Sequence, residues 1–415
     1  MTSIRTLLLS LLLLYPVVCE NSENSFQAIS SDQIRKYHFD LARHFFRTPE
    51  EAKTAQAKLN SVLSELESMK GVVSTTPENL LKSLELYDAA LIEFFKNYTY
   101  FYLRSAINTK DSSSADEASH LDSEFSKRTS FLRTELAEID ETKFEAFQKR
   151  NPELQKYHFA VLSSSRYKPH LLSLKEEELL SASYPYLSEW QFDLYQKILS
   201  ETQFADLKTS TGTLNVRKDR LEISSNSDRE IRREGFIKLY EAYASKRNLY
   251  AFALLKLVNS RNQIAQERHF HNAPEQVYFD SFWTERQVSE LLEQISQSAQ
   301  IYKRYQMLRA DHVKKRTQYE DVNFWDLQAI TTSPPRFSID RASEIIRNSL
   351  APLGSQYSRE LQLLLDPENG RMDIVAGANR KSGGFSKGFP GIPTVFFASG
   401  YQGFYNDVRI LTHES

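Results

Sequence analysis

Cysteine is almost missing from this chain: Cys19 is the only one in 415 residues. A single thiol cannot form an internal disulfide, so stability must come from a core, which a chain this long is able to build. Glycine (12), methionine (4) and tryptophan (3) are also scarce. So little glycine argues against a loop-dominated or low-complexity chain and favours helix. Neither charge sign dominates, with 52 Lys and Arg against 54 Asp and Glu and a net charge of −2. That balance gives no sign of the strongly basic composition by which proteins hold nucleic acid or anionic membranes, so no nucleic-acid partner is expected. Long apolar runs are lacking too. The longest, from Leu7 to Leu14, is interrupted by Ser10 and falls well short of the ~20 residues that span a bilayer.

That short run sits in a distinctive N-terminus. Arg5 precedes it, Pro16-Val17-Val18-Cys19 follows, and Glu20-Asn21-Ser22 is polar. A basic start, a short apolar stretch and a polar continuation describe a signal peptide. The expectation is cleavage after Cys19, a secreted or periplasmic mature protein without cysteine, and no stable membrane insertion. A lipid anchor on Cys19 is the alternative, but Val17 and Val18 match that processing poorly. A buried N-terminal helix is the plain reading. Asn97-Tyr98-Thr99 fits the N-glycosylation pattern.

Helix signals fill the next stretch. Thr48-Pro49-Glu50-Glu51 reads as N-cap, N1 proline and capping glutamate, and Leu59, Val62, Leu63, Leu66 and Met69 then share one face. Gly71 closes that helix. Thr76-Pro77 opens another through Leu80, Leu84, Tyr87, Leu91, Phe94 and Phe95. After a polar loop at residues 111–114, a third carries Leu121, Phe125, Leu132 and Leu136. These stripes predict core packing in a helical bundle.

Three histidines invite a ligand reading. His170 follows Lys168-Pro169 and precedes the acidic helix start Glu176-Glu177-Glu178, where a surface turn is the simpler account. His269 and His271 are adjacent but one, so they point to opposite sides of a strand and well apart on a helix. A helix-ending loop explains them better than a metal. Residues 209–224, with Thr213-Leu214-Asn215-Val216 and Leu221-Glu222-Ile223, predict a short strand pair or extended linker and a domain boundary near residue 208.

Thr284-Glu285-Arg286-Gln287 is a capping box opening one long helix with Val288, Leu291, Leu292, Ile295, Ala299, Tyr302 and Tyr305 on a face. Residues 331–335 break the pattern, Ser338 caps the next helix, and Gly354 ends it. Glycines then crowd together: Gly370, Gly377, Gly383, Gly384, Gly388, Gly391, Gly400 and Gly403 are eight of the chain's twelve. Among them Thr394-Val395-Phe396-Phe397-Ala398 reads as a strand with glycine-rich approaches. Its edge is expected to receive an extended peptide, with Ala398, Ser399 and Gly400 as substrate contacts. A last helix runs from about Tyr405 to His413-Glu414-Ser415. Its lack of a C-cap suggests a chain cut within that helix.

The stretches Gly370-Arg371-Met372-Asp373-Ile374, Lys381-Ser382-Gly383-Gly384-Phe385-Ser386 and Asp407-Val408-Arg409-Ile410-Leu411-Thr412-His413-Glu414 resemble the oligoendopeptidase F and thimet oligopeptidase family. So do Lys168-Pro169-His170, Asp228-Arg229-Glu230-Ile231-Arg232 and Ala351-Pro352-Leu353-Gly354. The resemblance covers roughly residues 154–415. It implies a mainly α fold, an elongated multi-helix zincin-type peptidase with a small β-sheet near the active-site helix and its C-terminal part missing here. Together with the N-terminal pattern and the break near residue 208, the expected division is a leader at 1–19, an N-terminal helical domain at 20–208 and the first portion of the catalytic domain at 209–415. It implies zinc as cofactor, short unfolded peptides as substrates, His413 as a metal ligand and Glu414 as general base, the first three positions of an H-E-x-x-H helix pattern being present up to Ser415. Further ligands would come from elsewhere, and the chain by itself is expected to be inactive. The competing reading is a non-catalytic helical scaffold or peptide-binding relative without the zinc site.

Overall fold

The computed structural model describes residues 26–188, 190–210, 212–327 and 335–415. The expected leader and most of the expected break at residues 331–335 lie outside these. The protein is mainly helical with two small sheets.

The first described residues lie against the far end of the sequence. The Ile339 amide donates to the Ala28 carbonyl (2.8 Å), the Asp40 amide to Gly370 O (2.9 Å) and the Ile374 amide to Tyr37 O (3.4 Å). Tyr37 is buried among Ile339, Ile346, Leu365 and Met372, and burial raises its phenol's pKa well above the usual value. Gly370 is held at φ +58°, and a Cβ there would stand 2.5 Å from that of Asp40. Glycine is required at this crossing. One turn, α1 (Leu41–His44), follows, capped by the Asp40 carboxylate.

A bundle comes next: α2 (Pro49–Glu67), α3 (Pro77–Ile107), α4 (Ser112–Ala137), α5 (Glu141–Arg150) and α6 (His158–Ser165). The caps fall where the sequence placed them. Thr48 accepts from the Glu51 amide and Thr76 from the Asn79 amide. Leu59, Leu63, Phe94, Leu121 and Phe125 interleave in one core; Leu66, Leu80, Leu84, Leu132 and Leu136 in the next. Residues 111–114 are not a loop: Asp111 is the N-cap of α4, its carboxylate taking the Ser114 amide and both nearby hydroxyls. The glycosylation reading of Asn97 also fails. Asn97 is fully buried in the middle of α3, where its amide donates to Glu93 O (2.8 Å).

Then follow α7 (Leu174–Ser188), α8 (Trp190–Glu201), the antiparallel pair β1 (Asp206–Thr209) and β2 (Gly212–Asn215), α9 (Arg220–Ser224), α10 (Arg229–Ala244), α11 (Arg247–Glu267) and α12 (Ala273–Asp280). The strand pair exists but is shifted: Leu221-Glu222-Ile223 lies in α9, with Ile223 buried against Leu207, Val216 and Leu239. Arg232 on α10 is buried with its charge matched. It donates to Asp326 Oδ1 (3.2 Å), Trp325 O (3.1 Å), Asn226 O (2.7 Å) and Ser227 O (3.1 Å). Arg229 grips both oxygens of the same Asp326, at 3.0 and 2.9 Å.

The single long helix expected from Thr284 is two, α13 (Glu285–Gln297) and α14 (Ala299–Thr317), divided at Ser298. The Thr284–Gln287 capping box is present. The apolar face is not covered: Leu291, Leu292, Ile295, Tyr302 and Tyr305 are all exposed, and α13 buries no residue. Leu254, Leu255 and Val258 of α11 are exposed as well. After these come α15 (Ile339–Leu350), capped by Ser338, and α16 (Ser355–Leu365).

The second sheet has β3 (Met372–Asp373), β4 (Gly384–Phe389) and β5 (Ile392–Ala398) in the order β3-β5-β4, and α17 (Tyr405–Glu414) follows it. β5 is the middle strand, parallel to β3 and antiparallel to β4. Its apolar run is therefore a core strand, with Val395, Phe396 and Phe397 buried.

Candidate active site

α17 is the element that carries the candidate chemistry, and its sequence decides which side faces in. Val408 and Leu411, three apart, are buried with Ile339, Ile346, Leu361 and Phe396. Ile410 and Glu414, four apart, lie on the β4 side: Ile410 Cγ2 is 3.5 Å from where a Gly384 Cβ would be. Arg409 and His413 form the open stripe, and His413 is exposed. At the other end, the Asp407 carboxylate takes the amides of Gln402 (3.1 Å) and Phe404 (2.9 Å) and so fixes the entry turn. Burial raises the Asp407 pKa, outweighing the lowering by those amides.

Glu414 is half-buried and bound on one side only. Its Oε2 accepts from both the amide and the hydroxyl of Ser386, each at 2.9 Å. Ser386 lies in β4, which is fastened from its other face. Phe389 stacks on Phe95 of α3 at 4.0 Å between ring centroids, Phe385 meets Tyr102 at 5.2 Å, and the Lys387 ammonium lies 4.8 Å over the Tyr102 ring. Residues 385, 387 and 389 thus face the helical body, while 384, 386 and 388 face away from it, as the two-residue period of a strand requires.

The expected substrate contacts sit differently. Ala398 pairs with Gly384 across the β4–β5 ladder, and its carbonyl accepts from Arg380 (3.0 Å). The Ser399 amide donates to Gly383 O (2.8 Å), and a Cβ on Gly400 would lie 3.0 Å from that of Ala376. On the β4 side Ala398 and Ser399 are thus already paired, while the β3 ladder reaches only Phe396 and Phe397. Among the described residues this sheet has two edge strands, the two-residue β3 and the longer β4. The other histidines are packing groups or surface: His170 stacks on Phe270 at 3.7 Å and bonds Arg268 O through Nδ1 (3.0 Å), and His269 has the left-handed backbone (φ 61°) that ends a helix.

Zinc, which the resemblance implies, would find one open imidazole here, that of His413. Among the described residues no group of three or more His, Cys, Asp or Glu side chains converges as a metal site needs. The donors on this chain thus fit one corner of such a site and do not complete it.

Residues 135–207 match the family described as Oligopeptidase F, and residues 223–351 match Peptidase family M3. Oligopeptidase PepF of Bacillus subtilis is 24% identical over 363 residues, covering 86% of this chain and 53% of that protein. This chain belongs to the oligoendopeptidase F family of M3 peptidases. Group B oligopeptidase PepB of Streptococcus agalactiae is 23% identical over 392 residues, 92% of this chain and 63% of that protein. The crystal structure of oligoendopeptidase-F from Enterococcus faecium shares the fold, with a TM-score of 0.61 at 20% identity over 75% of this chain and 60% of that one. The chain therefore spans between about half and two thirds of the length of these oligoendopeptidase F relatives. The family matches end at residue 351, so α17 rests on its own geometry.

Proposed function

We propose that this chain forms the N-terminal body and the first part of the active site of a zinc-dependent oligopeptidase acting on short, unfolded peptides. The observation that carries the reading is the pairing on α17 of an exposed imidazole, His413, with a neighbouring carboxylate, Glu414, that is held from one side and open on the other. The relatives' printed names, oligopeptidases, supply the reaction class. His413 would be one metal ligand, and the rest would come from parts of the peptidase that the longer relatives have. Bound zinc supplies polarisation of the scissile carbonyl and a water of lowered pKa. Glu414 would be the general base, taking a proton from the attacking water and giving it to the leaving amine. A peptide that adds to the sheet would do so along β4, the longer of its two edge strands, at amides other than that of Ser386, which Glu414 occupies.

Glu414→Gln in the longest natural form of the protein keeps the zinc, since Glu414 is not a ligand, and lowers kcat by roughly 10²–10⁴-fold, the usual worth of a general base. Residues 1–415 alone hold no stoichiometric zinc and cleave nothing, because losing most of the ligands removes most of the affinity. Elemental analysis and a quenched-peptide assay on both forms test this; an active Glu414→Gln protein overturns it. The second reading is a non-catalytic peptide-binding relative without the zinc site. It predicts peptide binding without turnover even in the longest form. We also propose export, with cleavage after Cys19. N-terminal sequencing of protein from its host should find Glu20 first, and an intact Met1 on the mature protein refutes it.

A further inference from the structure

Glu414 stands near the end of a helix, on a side chain with three rotatable bonds, and a base that swings is a poor base. We propose that Ser386 is the positioning residue for Glu414, fixing Oε2 with two donors so that Oε1 is the oxygen left to take a proton. This rests on Glu414 being the general base. The geometry that supports it is built into the strand. Ser386 stands opposite Phe396 in the β4–β5 register, and the Phe396 amide is spent on Arg371 O (2.8 Å), on the far side of β5. The pair is thus a non-hydrogen-bonded one, which turns the Ser386 amide outward from the sheet edge. That amide donates to Glu414 Oε2 (2.9 Å). The side-chain period puts the Ser386 hydroxyl on the α17 side, and it donates to the same oxygen (2.9 Å). Hydrogen bonds to an ionised acceptor are about twice as strong as neutral ones.

Two neighbours make the approach possible and hold it. Gly384, two residues before Ser386 on the same face, has no side chain to keep Ile410 away. On the opposite face Phe385, Lys387 and Phe389 anchor the strand to Tyr102, Tyr98 and Phe95 of α3. Serine meets the requirement narrowly. Alanine keeps the amide donor but loses the hydroxyl, while threonine keeps both.

The test uses the longest natural form of the protein. Ser386→Ala lowers kcat by about tenfold, on the scale of small misplacements of a catalytic group, leaves KM within about twofold, and leaves zinc content unchanged. Ser386→Thr restores kcat. In the Glu414→Gln background Ser386→Ala has no further effect, because the two act as one unit. A second readout needs neither metal nor turnover. In metal-free protein, Glu414→Ala speeds hydrogen exchange of the Ser386 amide by tenfold or more, read on peptides covering 384–389. An unchanged kcat in Ser386→Ala alongside an inactive Glu414→Gln overturns the positioning role, and so does unchanged exchange at Ser386. If Glu414→Gln is itself fully active, it is the reading of Glu414 that has failed, and the exchange measurement shows whether the contact exists all the same.

Discussion

Removing the carboxylate of Asp326 should destabilise the protein more than almost any other isosteric change in it. Asp326 is fully buried and is the counter-charge of two guanidiniums. Arg229 donates to it twice, at 3.0 and 2.9 Å, and Arg232 once, at 3.2 Å. Arg229 is partly exposed and regains some hydration when the carboxylate goes, but Arg232, with 1% of its side chain exposed, cannot. Asp326→Asn therefore leaves a buried, uncompensated charge, which costs about 3–5 kcal/mol. At ~2–4 °C of melting temperature per kcal/mol for bodies of a few hundred residues, the loss is on the order of 10 °C near pH 7. Burial alone would raise the Asp326 pKa, but Arg229, the Asn323 amide and Arg232 outweigh it and hold the carboxyl below its ordinary value. For a carboxyl with a depressed folded-state pKa, the stabilisation is complete above the unfolded value of ~3.9 and is lost as pH falls through the folded one. The gap between wild type and Asp326→Asn should then be flat from about pH 5 upward and close below about pH 4. Thermal and urea melts across that range measure it. Equal stability at pH 7, or a gap that does not close in acid, refutes the reasoning.

Arg268→Ala strips the buried Glu177 of both its 2.7 Å hydrogen bonds and should cost about 3 kcal/mol at neutral pH, visible as a lower urea midpoint. Gly370→Ala forces a Cβ against Asp40 at a left-handed position and should lower stability by about 1–3 kcal/mol, whereas Gly71→Ala, with open space around it, should lose only about 1 kcal/mol. Protein purified from a glycosylating host should carry no glycan at Asn97, and mass spectrometry of the peptide covering it decides. Residues 26–415 expressed alone should bind an apolar dye strongly while keeping their helical circular dichroism, because α11, α13 and α14 expose apolar faces; weak dye binding by a folded protein contradicts this.

What could be read from the sequence was mostly what is local. The caps Thr48, Thr76, Thr284 and Ser338 act within three residues of themselves, and all four are present. The apolar stripes of α2, α3 and α4 locate a core because bundle neighbours are close in the chain. The stripe on α13 shows amphipathicity but not what would cover it. β4 does not stand out in the sequence because Gly384 and Gly388 weaken its strand propensity. The alternation of Phe385, Lys387 and Phe389 with small residues was the signal that could have found it. That β5 is central and β3 and β4 are the edges depends on pairings no single strand reveals. The candidate residues His413 and Glu414 came from a motif fragment in context, whereas Ser386 is 28 residues from Glu414 and only folding brings them together.

The lacing of residues 26–46 into the last described elements has a consequence for proteolysis. Phe26 lies against Gly403 and under Arg336, and Ala28 and Tyr37 supply carbonyls to Ile339 and Ile374. A protease that trims past Phe26 would cut into the core around α17. Nicking between Ala28 and Tyr37 should therefore release the sheet and α15 from their backing, loosening the ground on which α17 stands without touching α17 itself.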